Sequence, residues 1–482
     1  MNYRDYIAGV QDNLKRNPKS FWSYVKERKQ KGQIPAELSY LNEKSTSPET
    51  TANLFARFFK TVHSSAEPTV TQQQLNQLPS YNINLPPLIV SVDEVKKALS
   101  SIDGTKGSGP DSIPPSVIKN CSHSLAQPIA NIFNRSLSEG VFPSEWKVAS
   151  ITPVHKSGST SNVENYRSIS ILSCLAKVLE SMLYDHLYPA VKNVVSQYQH
   201  GFMKQRSTTT NLMAYTAGII RRLEKRQQID AVYVDFTKAF DRVPHKLSVA
   251  KLTALGLPHW LTRWLGSYLC NRTAYVKVAG ALSHRYDITS GVPQGSHLGP
   301  LIFILFINDL CALLQSSKLL YADDLKIYRS ICNSNDVRVL QGDINVLLKW
   351  CTRNGMEVNE NKCKVISFRR IRSPVLAEYK MGQSALERVQ TISDLGVTID
   401  CKMEFNQHIS ISVAKSYALL GFLRRNASCF TDINVLKTLY FSLIRSVLEY
   451  AVPVWAPYYA VYHKQIENVQ KRFVRFAARV LP

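Results

Sequence analysis

The chain has 482 residues and a formal net charge of +23, from 59 Lys and Arg against 36 Asp and Glu. With 45% hydrophobic and 20% charged residues it has globular composition, which excludes a disordered acidic scaffold and a small disulfide-stapled module. A basic surplus of this size favours polyanionic partners, nucleic acid first, over small-molecule substrates.

The longest nearly apolar run, Leu301 to Ile307, is far shorter than the roughly 20 residues of a membrane span, so no membrane partner is expected. The opening Met1-Asn2-Tyr3-Arg4-Asp5 has no apolar core of a signal peptide. Nine cysteines, scattered from Cys121 to Cys429 with no C-x-x-C pair, predict reduced, buried thiols and no zinc site.

In chain order, residues 1–67 read as a basic helical extension, with Phe21-Trp22 and Leu54, Phe55, Phe58 and Phe59 at helix-like spacing. Residues 68–90, rich in Gln, Asn, Ser and Pro without periodicity, read as a linker. Ser91 and Glu94 form a capping-box pattern ahead of a helix carrying Val95 and Leu99. Gly104 to Asp111 holds three glycines and a proline and reads as a loop; Lys106 is followed by Gly107, not by the Ser or Thr of a P-loop. Leu172, Leu175, Leu179, Leu183 and Leu187 keep one helical face apolar. Strand patterns follow at Ile229–Asp235, Tyr275–Val278, Tyr286–Thr289 and Leu319–Tyr321, the last returning through Ile327–Tyr328. Helices between these strands predict an α+β core with the helices gathered on one face of the sheet. After Leu395-Gly396-Val397 the chain reads as helical and basic, through Arg472, Arg475 and Arg479.

Three carboxylates stand out by position. Asp235 ends an apolar strand, and Asp323-Asp324 lies between two short apolar runs, as in a hairpin turn. A strand end and a hairpin tip converge when the strands are sheet neighbours. Converged carboxylates repel unless a divalent cation neutralises them, and oxygen-only ligands suit Mg²⁺. Two such ions about 4 Å apart activate a hydroxyl and stabilise a departing pyrophosphate. Taken singly, each residue also has a local explanation: Asp is common in turns, and a strand-terminal Asp can cap the next helix.

The residues around them resemble a known family. Tyr233-Val234-Asp235-Phe236-Thr237-Lys238-Ala239-Phe240-Asp241, Ser290-Gly291-Val292-Pro293-Gln294-Gly295-Ser296-His297-Leu298-Gly299-Pro300 and Tyr321-Ala322-Asp323-Asp324 resemble successive palm motifs of a reverse transcriptase. Their order and spacing are similar to the non-LTR, LINE-type retrotransposon branch, with jockey-like elements nearest. Upstream, Pro153-Val154-His155-Lys156 with Asn165-Tyr166-Arg167-Ser168-Ile169 resembles that family's fingers; downstream, Asn359-Glu360-Asn361-Lys362-Cys363 resembles its later palm motif. The resemblance covers roughly residues 90–480.

It implies a right-hand polymerase: fingers at 91–230, a palm at 231–400 (reverse transcriptase core roughly 137–400) and a helical thumb at 401–482. The implied activity is RNA-directed DNA synthesis, with an RNA template, a DNA primer and deoxynucleoside triphosphates as partners. Asp235, Asp323 and Asp324 would be the catalytic carboxylates on two Mg²⁺ ions, with Mn²⁺ as a substitute and the Phe236 carbonyl completing one shell. Phe240 would be the steric gate against a ribose 2′-hydroxyl. Lys156 and Arg167 would bind the triphosphate, and Gln294 and Gly295 would position nucleotide and template base. Lys362 would contact the triphosphate or protonate the leaving pyrophosphate.

Ser168 stands where the family often has Pro and His155 adjoins the fingers lysine, but neither removes an ion ligand. No endonuclease domain fits before residue 90 and no Cys/His knuckle is present. The expected reading is therefore a part of a longer element protein or a truncated copy, with target cleavage missing or supplied elsewhere. Family resemblance suggests a cytoplasmic ribonucleoprotein with DNA synthesis in the nucleus; the sequence itself assigns no compartment. Two other readings stay open, an idle remnant that binds RNA and an RNA-dependent RNA polymerase, the latter opposed by Phe240.

Overall fold

The computed structural model describes residues 3–29, 34–35, 37–41, 43–64, 68, 75, 78–370 and 373–480. In chain order its strands are β1 Ser39–Tyr40, β2 Glu43–Lys44, β3 Val148–His155, β4 Tyr166–Ile171, β5 Gln228–Val234, β6 Arg272–Val278, β7 Ala281–Leu282 and β8 Tyr286–Ile288. They continue with β9 Ser317–Tyr321, β10 Asp324–Ile331, β11 Lys364–Phe368, β12 Lys380–Met381, β13 Ser384–Ala385, β14 Glu387–Val389, β15 Thr391–Asp394 and β16 Val397–Asp400. Helices alternate with them, giving an α+β molecule.

One sheet has the order β14-β11-β5-β10-β9, with β5 at its centre. β10 runs antiparallel to β5 from Leu325↔Val234 to Ile331↔Gln228, and β9 closes on β10 through Tyr321↔Asp324. Val232, Val234, Leu325, Ile327 and Val365 point into a core shared with the helices Gly299–Phe306 and Ser334–Asn354. Ile229, Ala231, Leu319, Tyr328 and Ile366 point the other way, into a core shared with the helix Thr208–Glu224 and the C-terminal helices. The expectation of helices on one face is therefore corrected: they cover both. The reason is legible in β5, whose apolar residues fall at both parities, so each face must be buried.

A second sheet has the order β4-β3-β6-β7, with β8 also paired to β6. β3 and β4 form an antiparallel pair of six residues, and β6 runs parallel to β3. Leu54, Phe55, Phe58 and Phe59 of the helix Pro48–Val62 are buried against Ile151, Ala274 and Val276 of this sheet. Phe21 packs edge-on to Phe422 at 6.0 Å, whereas Trp22 stacks on the same ring but stays 45% exposed.

Local expectations fare well where the cause is local. Ser91 Oγ accepts from the Glu94 N–H at 3.3 Å and Glu94 Oε2 accepts from the Ser91 N–H at 2.8 Å, capping the helix Val92–Ser100. The helix Cys174–Val191 buries Leu179, Leu183 and Leu187. Of the stretch 68–90, residues 69–74, 76 and 77 lie outside the described residues; 78–90 carry no helix or strand, and Leu85 is buried. Leu395-Gly396 is the tip of the β15–β16 hairpin, with φ of 45° and 85°, the positive pair a tight two-residue hairpin turn requires. Helices then run Asn406–Asn426, Ile433–Tyr440 and Ala460–Val480. Cys311, Cys351 and Cys363 are buried, but Cys121 and Cys332 are exposed, correcting the expectation that the thiols are buried. Among the described residues no helix is long and apolar enough to cross a membrane.

A buried ion pair joins the central sheet to the β15–β16 hairpin. Lys326 Nζ lies 2.6 Å from Asp394 Oδ2 and 2.7 Å from Asn211 Oδ1, over the ring of Tyr215. The Tyr233 hydroxyl donates to the same Asp394 oxygen at 3.2 Å. Removing one partner strands the other charge in the interior. Lys326→Met should therefore cost about 3–5 kcal/mol in urea denaturation, and Lys326→Met/Asp394→Leu should recover much of it. A double variant no more stable than Lys326→Met would contradict the coupling.

Candidate active site

The β5–β10 register builds the site. Val234 pairs with Leu325, so one residue further on Asp235 lies across from Asp324. Alternation then puts Tyr233, Asp235, Asp324 and Lys326 on one face. Asp323 occupies the two-residue turn with Ala322, whose φ is +58°. Here the structure refines the sequence expectation: Asp323 is at the tip, whereas Asp324 is already the first residue of β10.

Asp235 is pinned from the other side. Its N–H donates to Cys363 Sγ at 3.4 Å and its carbonyl accepts from the Asn359 N–H at 2.7 Å. The Asn359–Cys363 turn thereby sits against the strand end, with Lys362 Nζ 3.8 Å from Asp235 Oδ2. Phe236 follows with an isolated antiparallel bridge to Val358 of the same turn region.

The carboxylates feel one another. Burial, reinforced by Asp235, raises the Asp323 carboxyl, while Lys156 and Arg167 pull it back down. Asp324 is pushed up to about 6, by the surrounding protein first and then by Asp323, Asp394 and Asp235, with Lys326 opposing. Lys156 follows the end of β3, its N–H donating to the Asn165 carbonyl at 2.8 Å, and Arg167 pairs with Val154 across β3 and β4. The two expected fingers cations thus stand on neighbouring strands within electrostatic reach of Asp323.

Phe240 and the Ser290–Pro300 loop are also brought together. The Phe240 ring is half-buried, stacked on Phe303 at 4.3 Å and edge-on to Phe202 at 6.1 Å. Gln294 Nε2 donates to Asp241 Oδ1 at 2.9 Å, and its carbonyl accepts from the Ser170 N–H at 2.9 Å. Gly295, at φ +122°, lies so close to β4 that a Cβ would sit 2.6 Å from the Ser170 carbonyl oxygen. From the N-terminal region His63 Nδ1 lies 2.9 Å from the Ser290 carbonyl and 3.3 Å from that of Asp241.

Sequence reasoning missed several contributors. Lys238, between Asp235 and Asp241, is depressed by burial and by Lys156, Lys362 and Arg167, with Asp241 opposing. These four cations crowd one region, as suits an anionic ligand. Asp241, Lys326 and Asp394 were also missed; each is a polar residue within or beside an apolar run, the one signal that could have marked them. A cavity of about 870 Å³ lies elsewhere, between residues 34–51 and the ends of β3 and β6, and touches none of the carboxylates.

The donor set suits a hard divalent cation. The candidate ligand atoms are all oxygens, and the Asp323 and Asp324 carboxyls are raised by burial first and by neighbouring carboxylates second. The side chains are not drawn into a closed cage, for among the described residues no group of three or more His, Cys, Asp or Glu is gathered as a metal-holding cluster.

The raised Asp324 carboxyl has a definite sign in stability. Below about pH 4 the group is protonated whether the chain is folded or not; between about 4 and 6 the unfolded chain loses that proton and the folded one keeps it, so stability falls as pH rises. In EDTA, Asp324→Asn should match wild type in Tm at pH 4 and exceed it at pH 7.5, and millimolar Mg²⁺ should narrow the gap. A Tm difference independent of pH would contradict this.

A family model described as reverse transcriptase (RNA-dependent DNA polymerase) matches residues 154–407. The chain is 28% identical over 481 residues to the probable RNA-directed DNA polymerase from transposon BS of Drosophila melanogaster, covering 95% of this chain and 52% of that protein. It is 29% identical over 373 residues to the RNA-directed DNA polymerase from mobile element jockey of the same organism, covering 74% and 40%. The probable RNA-directed DNA polymerase from transposon X-element, also of that organism, is 27% identical over 425 residues, covering 84% and 45%. The chain spans about half the length of these curated relatives. It belongs to the reverse transcriptase (RNA-dependent DNA polymerase) family, as a jockey-like, non-LTR member.

Proposed function

We propose that the chain is the polymerase portion of a retrotransposon protein, extending a primer 3′-hydroxyl with deoxynucleotides on an RNA template. The observation that carries this reading is the convergence of Asp235, Asp323 and Asp324 at one strand end, within reach of Lys156 and Arg167. Carboxylates facing cations are what a triphosphate bridged by divalent ions needs. In this reading residues 91–230 are fingers, 231–400 palm and 401–482 thumb, with 1–67 an extension joined through 68–90.

Asp235 and Asp323 hold the cations, with Asp324 beside them and the Phe236 carbonyl as a further oxygen donor. Bound Mg²⁺, two ions by the family pattern with Mn²⁺ as substitute, supplies the positive charge that activates the hydroxyl and stabilises the leaving pyrophosphate. Lys156 and Arg167 neutralise the triphosphate, the guanidinium through its fork of donors. The Phe240 ring, braced by Phe303, lies against the sugar and excludes a 2′-hydroxyl. Gln294, held by Asp241, and Gly295, pressed on β4, orient nucleotide and template base. Lys362, next to Asp235, donates to the pyrophosphate as it leaves. The net charge of +23 holds the RNA–DNA duplex through its phosphates.

Primer extension on poly(rA)·oligo(dT) with dTTP and Mg²⁺ tests the reading. Wild type should extend, and Asp235→Ala and Asp323→Ala should each lose about a thousandfold or more. A folded wild type that binds RNA but does not extend would sink it and favour an idle remnant. Phe240→Ala should raise rUTP incorporation relative to dTTP; an unchanged sugar preference would remove Phe240 from the gate.

A further inference from the structure

We propose that Gln199 is a positioning residue for the carboxylate turn, setting the backbone of Ala322 and through it the direction of Asp323. Residues 198–201 run beside β9 as an extra edge. The Leu320 N–H donates to the Tyr198 carbonyl at 2.9 Å, the His200 N–H donates to the Leu320 carbonyl at 2.8 Å, and Gln199 bridges Leu320 in parallel. This edge carries the Gln199 side chain to the turn, where it is only 2% exposed.

One buried amide there takes both backbone groups of one residue. Gln199 Nε2 donates to the Ala322 carbonyl at 3.2 Å, and Gln199 Oε1 accepts from the Ala322 N–H at 2.9 Å. The same oxygen accepts from the Gly201 N–H at 2.8 Å, which fixes the amide in place. Gly201 permits the approach: a Cβ there would lie 2.2 Å from the Ala322 nitrogen.

The need for such a clamp follows from the turn. Ala322 has φ +58°, in a two-residue hairpin position that ordinarily takes glycine because a Cβ disfavours it. Nothing intrinsic to alanine keeps it there, and a relaxation of Ala322 would swing Asp323, the next residue, away from Asp235. Gln199 supplies from outside the turn the constraint that glycine would have made unnecessary. Groups that orient ligands in this way commonly change cation affinity by 10–100-fold when removed.

The kinetic part of the test rests on the polymerase reading; the binding part does not. Mn²⁺ affinity would be measured by the EPR signal of free ion, together with Tm, kcat and the KM for dTTP, for wild type, Gln199→Met, Ala322→Gly and the double variant. Gln199→Met keeps the side-chain volume without the hydrogen bonds and should weaken Mn²⁺ roughly tenfold, lowering kcat with KM for dTTP changed less than about twofold. In the Ala322→Gly background the same replacement should cost less, because glycine accepts the positive φ unaided. Should Gln199→Met fail to fold, Gln199→Asn, too short to reach both backbone groups, is read the same way. Unchanged Mn²⁺ affinity with a lowered Tm would overturn the proposal in favour of packing alone. If wild type binds Mn²⁺ but extends no primer, the polymerase reading fails while the Mn²⁺ comparison still decides Gln199.

Discussion

The site depends on one register. Because Val234 pairs with Leu325, Asp235 and Asp324 meet across neighbouring strands, and the short turn brings Asp323 beside them. A slip of one residue would turn Asp324 and Lys326 to the opposite face and send Leu325 and Ile327 out of their core. The register is held by apolar burial on both faces of β5 and β10, so the energy of the hydrophobic core is what forces like charges together. Burial first, and the neighbouring carboxylates second, raise the carboxyls of Asp323 and Asp324.

Around this repulsive centre the fold arranges compensation at two depths. Beneath the carboxylates, Lys326 is sealed against Asp394 and Asn211, so the face carrying Asp324 has a cation under it and is tied to the β15–β16 hairpin. Across the cleft, Lys156 and Arg167 come from a different sheet, and Lys238 and Lys362 from the flanking turns. Lys156 and Arg167 are therefore carried by a different sheet from the carboxylates, and an anionic ligand with bridging cations satisfies both. The loop from Ser290 to Gly295 closes on Asp241, and the neighbouring Phe240 ring stacks on Phe303.

What was legible in the sequence was short-range chemistry. The capping box at Ser91 and Glu94, the strand before Asp235 and a hairpin turn at Asp323 each depend on residues a few positions apart and are found, as are Leu179, Leu183 and Leu187 of the leucine stripe. Leu172 precedes the helix Cys174–Val191, Leu175 is half-buried, and Asp324 lies in β10 rather than in the turn. The candidate carboxylates and fingers cations were legible as motifs, and Asp235, Asp323, Asp324, Lys156 and Arg167 do share one electrostatic environment. Long-range pairing was not legible. The partnership of β3 with β6 joins residues more than a hundred positions apart, and β11 beside β5 has a similar separation. The two-sided burial of β5 is legible in its apolar residues at both parities. Gln199 was silent for a different reason: a buried glutamine holding a backbone turn from 123 positions away leaves no local pattern at all.

The central claim is that the β5–β10 register makes an oxygen-lined cation site from Asp235 and Asp323. Crystals of the protein soaked in Mn²⁺ and measured near the manganese absorption edge test it most directly. An anomalous peak within about 2.5 Å of both carboxylates, with the Phe236 carbonyl in reach, is the predicted result. Well-ordered Asp235 and Asp323 with no peak between them, or manganese bound only elsewhere on the chain, would contradict it.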